Sequence, residues 1–130
     1  MMPECKQVFR NLSKFKEGLY IMKRYVYTLE LREESVDEYV KYHQDVSKEV
    51  EADLTAAGVY NMEIYLLGNR LFSIIEASDG FDPENSLRNY ATCQRTTEWN
   101  ALMATFQVAV KEAKPHELWA RMDCVYKKKI

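Results

Sequence analysis

Apolar and polar positions first alternate and then cycle along the chain. Tyr25-Val26-Tyr27-Thr28-Leu29-Glu30-Leu31 concentrates β-branched and aromatic residues and predicts a first strand. Ser35, with Glu38 three residues later, has the form of a capping box and announces a helix. Apolar or weakly polar residues then recur at Val36, Tyr39, Val40, His43, Val46, Ser47, Val50, Leu54 and Ala57, the spacing of one helical face, with Lys41, Asp45, Lys48, Glu49 and Glu51 opposite. Gly58 closes that helix. Val59 to Leu67 and Leu71 to Ala77 read as strands joined by the short turn Gly68-Asn69-Arg70, a hairpin. Asp82-Pro83 reads as an N-cap with proline at the first helical position, opening a helical region that runs to about Val110 and is interrupted near Cys93. After Pro115, Leu118, Ala120, Met122, Cys124 and Tyr126 alternate with Arg121 and Asp123 and predict a last strand from Leu118 to Tyr126.

The order β-α-β-β-α-β is the split βαβ arrangement, which predicts an α+β, ferredoxin-like sandwich. Such a sheet carries its helices on one face, so the other needs a cover, and a second copy of the chain is the natural one. Homodimerisation through the open sheet face is therefore expected. Residues 1–21 show only weak periodicity, at Phe9, Leu12 and Phe15, and read as a peripheral N-terminal extension; the domain proper is 22–130, and Met22 is an alternative start.

Composition narrows the function classes. With 130 residues the chain is one domain, and 47% apolar residues suffice for a core. A net charge of −2 gives nucleic acid no electrostatic footprint, and Lys127-Lys128-Lys129 reads as a solvated tail. Cys5, Cys93 and Cys124 are odd in number and scattered, as in a cytoplasmic protein with reduced thiols. No apolar run approaches the ~20 residues a membrane span needs, and Lys6, Arg10, Lys14 and Lys16 interrupt any secretion-type core. No membrane partner is expected.

The candidate chemistry centres on His43. It follows Tyr39 by one helical turn on the same apolar face, so both side chains project over the sheet. An imidazole titrates near 6.5 and exchanges protons at neutral pH, although a core histidine satisfied by its neighbours fits the same position. Nine tyrosines and two tryptophans supply aromatic surface of the kind sugar clefts use; Tyr65 on the hairpin and Trp99 on the second helical region are placed to approach the helix–sheet cleft, where ordinary packing competes as an explanation. Glu63 and Glu76 fall on the hairpin strands, where solvent-facing positions are expected. Glycine-rich phosphate loops and nucleophile elbows are absent. His116 lies far along the chain from His43, with no cysteine or carboxylate at ligand spacing, so no metal site is expected.

Several segments together point further: Met22-Lys23-Arg24-Tyr25, Glu38-Tyr39-Val40-Lys41-Tyr42-His43, Gly58-Val59-Tyr60-Asn61-Met62-Glu63-Ile64-Tyr65-Leu66, Leu71-Phe72-Ser73-Ile74, Gln94-Arg95 and Glu98-Trp99. In these, and in their order, the chain from Met22 to about Tyr126 resembles the L-rhamnose mutarotase family. The resemblance implies a dimeric α+β barrel that interconverts the α and β anomers of a free deoxy sugar without metal or cofactor. The family's proton-donating histidine falls on His43 and its substrate-contacting tyrosine on Tyr39. A second family tyrosine falls on Met62, which cannot donate a hydrogen bond. The family's adjacent tryptophan pair falls on Thr96-Thr97, with Trp99 taking that place if two residues are inserted, and a Trp-Pro after the histidine is Ser47-Lys48 here. These departures surround the sugar and spare the proton-transfer position, which implies a different substrate; Met-Glu-Ile-Tyr and Glu-Trp are closer to a branch associated with L-fucose. The expectation is an aldose mutarotase of the L-rhamnose or L-fucose class, with His43 as acid and Tyr39, Trp99, Tyr65 and Met62 around the sugar. The rivals are a dimeric sugar-binding module without turnover and a cofactor-free monooxygenase of the same fold.

Overall fold

Strand β1 (Lys23–Leu31) is the hub of the sheet. The computed structural model, which describes residues 22–130, pairs it with β3 (Arg70–Ala77) from Lys23 opposite Ala77 to Glu30 opposite Arg70. The expected extension over residues 1–21 lies outside the described residues. β2 (Val59–Leu67) pairs with β3 as the predicted hairpin. The other edge of β1 is shared by two short strands: β4 (Gln107–Val108) pairs at Glu30 and Leu31, and β5 (Ala120–Met122) at Val26 to Thr28. All pairings are antiparallel, and the five strands form one sheet.

The two-residue period sorts this sheet into faces. Tyr27, Leu29 and Leu31 alternate on one side with Leu71, Ile75 and Ala77, all buried. Leu29, Leu31 and Leu71 form one core cluster with Tyr39, Met103 and Phe106; Tyr27, Ile75 and Ala77 form a second with Val59 and Phe81. Each fully buried aliphatic side chain here is worth about 1.5–3 kcal/mol of burial. On the other side, Phe72, Tyr65, Val108 and Met122 are exposed beside the ion pairs Arg24–Glu76 and Arg70–Glu30.

The elements depart from the expected pattern in three places. The first is two helices, α1 (Val36–Tyr42) and α2 (Lys48–Ala56), separated by the turn 43–47. Ser35 makes no capping bond with its side chain; the working cap is Ser47, extended at φ −67°, ψ 152°, whose Oγ accepts from Val50 N at 3.3 Å. Helix α3 covers only Gln94–Phe106, because the segment after Asp82 forms turns instead. There Asp82 caps locally, accepting from Glu84 N at 2.9 Å and Asn85 Nδ2 at 2.8 Å. The last strand is three residues long, since pairing with β1 ends at Met122 and Val125 and Tyr126 stand exposed. With α1 and α2 taken together, and β4 and β5 sharing one edge, the element order is that of the βαββαβ sandwich. No helix among the described residues is long and apolar enough to cross a membrane.

Candidate active site

The break after Tyr42 sets the chemistry of His43. As the C-cap of α1, its own N–H bonds back to the carbonyls of Tyr39 and Val40, and its ring curls over the same turn. Nδ1 lies 2.9 Å from the Tyr39 carbonyl oxygen. A carbonyl only accepts, so Nδ1 carries a proton in either charge state of the ring and Nε2 is the nitrogen left to exchange one. Nothing among the described residues engages Nε2. The ring is half-buried between two aromatics, 4.3 Å from the Tyr39 ring and 5.1 Å, edge-on, from Trp99. Burial lowers its pKa below the ordinary imidazole value, against a smaller opposing effect of the Tyr39 carbonyl. At pH 7 the neutral ring therefore dominates, with a lone pair on Nε2.

His43 borders a cavity of about 920 Å³ between the sheet and the helices. Tyr39, Trp99 and Met62 line it too, so four of the five residues singled out from the sequence converge there. The Tyr39 hydroxyl is pushed up to about 12 by burial, against a hydrogen bond from Gln107, and stays a neutral donor and acceptor. The fifth residue, Tyr65, is a correction: it sits on the opposite sheet face, 54% exposed, its hydroxyl donating to Glu63 at 2.9 Å. Glu63 and Glu76 share that open face, where Glu76 accepts from Arg24 at 2.9 Å and Asn61 at 3.0 Å.

Residues outside the sequence-based set also reach the cavity. Trp119 packs against both core clusters and lines it, as do His116, Tyr27 and Gln107. The alternation of the last strand runs opposite to the expected sense: Ala120 and Met122 pair beside Thr28 and Val26 on the open face, while Arg121 stands over the Tyr25 ring at 5.1 Å on the helix side. The signal for Trp119 was its place one residue before a strand whose polar parity faces inward. Among the described residues, no group of three or more His, Cys, Asp or Glu side chains is arranged to hold a metal ion.

The start of α3, which carries Trp99, is held from α2. Cys93, the N-cap of α3, makes no capping bond with its side chain; instead Asp53, almost fully buried, accepts from Thr92 N at 2.8 Å, from the Thr92 hydroxyl, and from Cys93 Sγ at 3.8 Å.

A family model described as L-rhamnose mutarotase matches residues 24–128. The chain belongs to the L-rhamnose mutarotase family. It is 32% identical over 109 residues to a protein named L-fucose mutarotase from Xanthomonas campestris, covering 81% of this chain and 87% of that one. It is 37% identical over 110 residues to a UPF0734 protein of Dictyostelium discoideum, covering 80% and 88%. Among solved structures, an L-rhamnose mutarotase from Formosa agariphila superposes with a TM-score of 0.59 at 18% identity, over 82% of this chain and 99% of that one. The tetracenomycin F2 cyclase of Streptomyces glaucescens, a polyketide cyclase, superposes with a TM-score of 0.57 at 14% identity, over 83% and 98%. These two likenesses are of fold.

Proposed function

We propose that the protein is an aldose mutarotase that interconverts the α and β anomers of a free deoxy sugar of the L-rhamnose or L-fucose class. The observation that carries this reading is His43, whose Nδ1 is fixed to the chain while Nε2 is left unengaged beside a cavity large enough for a monosaccharide. Nε2 takes the proton of the anomeric hydroxyl as the bond from C1 to the ring oxygen breaks, and the proton held as imidazolium is delivered to that ring oxygen. The open chain carries a C1 carbonyl. Rotation about the C1–C2 bond and closure on the other carbonyl face, with the proton movements reversed, gives the other anomer. The resting ring is thus a base first and an acid second, a refinement of the assignment as acid alone. Tyr39 holds a sugar hydroxyl as a neutral donor, Trp99 presents an aromatic edge, and Met62 supplies apolar surface where a hydrogen-bonding side chain would favour a different hydroxyl pattern.

The same reading includes a cytoplasmic homodimer joined through the open sheet face. The exposed Phe72, Tyr65, Val108 and Met122 support that interface. Light scattering at micromolar concentration that finds only a 15.3 kDa species would remove the dimer.

Exchange NMR on a panel of free sugars, L-fucose and L-rhamnose first, tests the function. Anomer exchange well above the buffer rate for at least one of them is expected. Sugar binding with no acceleration of exchange would select a binding module instead.

A further inference from the structure

We propose that the cavity contains a second sugar subsite and that the ligand filling both is a neutral reducing disaccharide, its hemiacetal ring at His43 and its second ring beyond Trp119. The orientation of this ligand rests on the mutarotase reading; the existence of two subsites rests on the shape and lining of the cavity.

The volume is too large for one ring. A six-carbon sugar occupies the space of six or seven waters, roughly 200 Å³ at ~30 Å³ each, about 7 Å across when compact. The cavity holds about 920 Å³. It is also long: its floor includes β2 from Val59 to Ile64, which one bulge sets opposite Ala77 to Ser73, four steps of ~3.4 Å, or about 14 Å. One end lies over the Leu29–Leu31–Leu71 cluster, against which Trp99 packs beside His43. The other lies over the Tyr27–Val59–Ile75 cluster, against which Leu87 and Met62 pack; Met62 borders both ends, since Ile64, two residues along β2, packs against the first cluster. Trp119 touches both clusters and so stands between the two ends.

The chemistry of the far end suits a second pyranose. The segment carrying Glu84 and Arg88 lies there, since the Tyr27 hydroxyl donates to the Pro83 carbonyl and Leu87 packs on the second cluster, and both side chains line the cavity, one carboxylate to accept from hydroxyls and one guanidinium to donate to them. The indole of Trp119 adds a face for C–H groups. Across the whole cavity three carboxylates, Glu51, Glu84 and Glu117, stand against the one guanidinium of Arg88, a balance that disfavours an anionic substituent and points away from sugar phosphates toward neutral sugars.

Exchange NMR with the full chain decides the matter. L-rhamnose and L-fucose are compared with disaccharides that carry the same sugars at the reducing end, across the available linkage positions. For at least one disaccharide, a KM about tenfold below that of the matching monosaccharide is expected. Arg88→Ala, at an exposed turn position, and Leu87→Trp, which fills the far end, are expected to lower the disaccharide-to-monosaccharide ratio of kcat/KM by about tenfold. Accelerated exchange of a monosaccharide with none for any disaccharide overturns the second subsite, and so does a ratio unmoved by both variants. If no sugar exchanges faster, the mutarotase reading fails and tryptophan fluorescence still decides this one. Disaccharide binding about tenfold tighter than monosaccharide binding, and weakened in Arg88→Ala, supports the subsite; equal binding overturns it.

Discussion

Asp53→Ala removes a side chain of α2 that fastens the start of α3. In the native protein the carboxylate, 4% exposed, accepts from the Thr92 amide and hydroxyl, from Cys93 Sγ and from Thr96. Burial alone would raise its pKa, but the bonds from Thr92, Thr96 and Cys93 outweigh that and hold it below the usual carboxylate value. A hydrogen bond to a charged group contributes about 1.5–3 kcal/mol, and a buried donor left unpaired costs about 1–3 kcal/mol. With two good Thr92 bonds lost, the expected destabilisation is about 3–4 kcal/mol. Asp53→Asn, which retains one acceptor, should cost about 2 kcal/mol. For a chain of this size each kcal/mol moves Tm by roughly 3–5 °C, so Asp53→Ala should melt about 10 °C or more below wild type. The sign with pH follows from the lowered pKa. The contribution is fully present above the unfolded value of about 3.9 and is lost as pH falls through the folded value. Urea unfolding at pH 7 and again near pH 3 checks both parts, and the gap between Asp53→Ala and wild type should narrow in acid. A gap below about 0.5 kcal/mol at pH 7 would show that α3 is not fastened by this residue.

Three further outcomes are expected. Gly58 has φ +100°, and a Cβ there would lie 2.6 Å from Ser78 Oγ, so Gly58→Ala should cost about 2 kcal/mol or more in urea unfolding, with Ser78→Gly in the same chain recovering only the contact part. The buffer-corrected exchange rate should be flat above neutrality and fall as pH drops through the His43 pKa, below about 6.5, because protonation removes the Nε2 lone pair; a rate that climbs on acidification contradicts the base role. Tyr65→Ala should leave the KM for sugar within about twofold, since the side chain lies on the sheet face away from the cavity; a tenfold rise would return Tyr65 to the site.

The sheet was largely legible because its signals are local. β1 is marked by its β-branched and aromatic residues and the hairpin by its short glycine turn, and their observed limits lie within two residues of those expected. The split of the first helix was hidden because α1 and α2 lay the same apolar stripe on one sheet, so the periodicity runs on through the break. Ser47, an N-cap residue inside that pattern, was the available clue. Tyr65 and Met62 stand three positions apart on one strand, and odd spacing puts them on opposite faces, so parity alone excluded one of them from the cleft. The rest depended on pairing partners. Ala120 and Met122 face away from the helices because of where β5 meets β1, and that register brings Trp119 inward. His116 reaches the cavity from a loop more than seventy residues after His43, a proximity no local pattern encodes.

The most direct test of proton transfer by His43 is the anomer exchange rate of His43→Gln. Glutamine has an amide that can donate to the Tyr39 carbonyl, so the turn is preserved, but it takes up no proton near neutrality. Exchange is expected to fall by about 10²–10⁴-fold, the usual share of general acid–base assistance, with Tm close to wild type. Exchange within about threefold of wild type in the folded variant would contradict the central role of this imidazole.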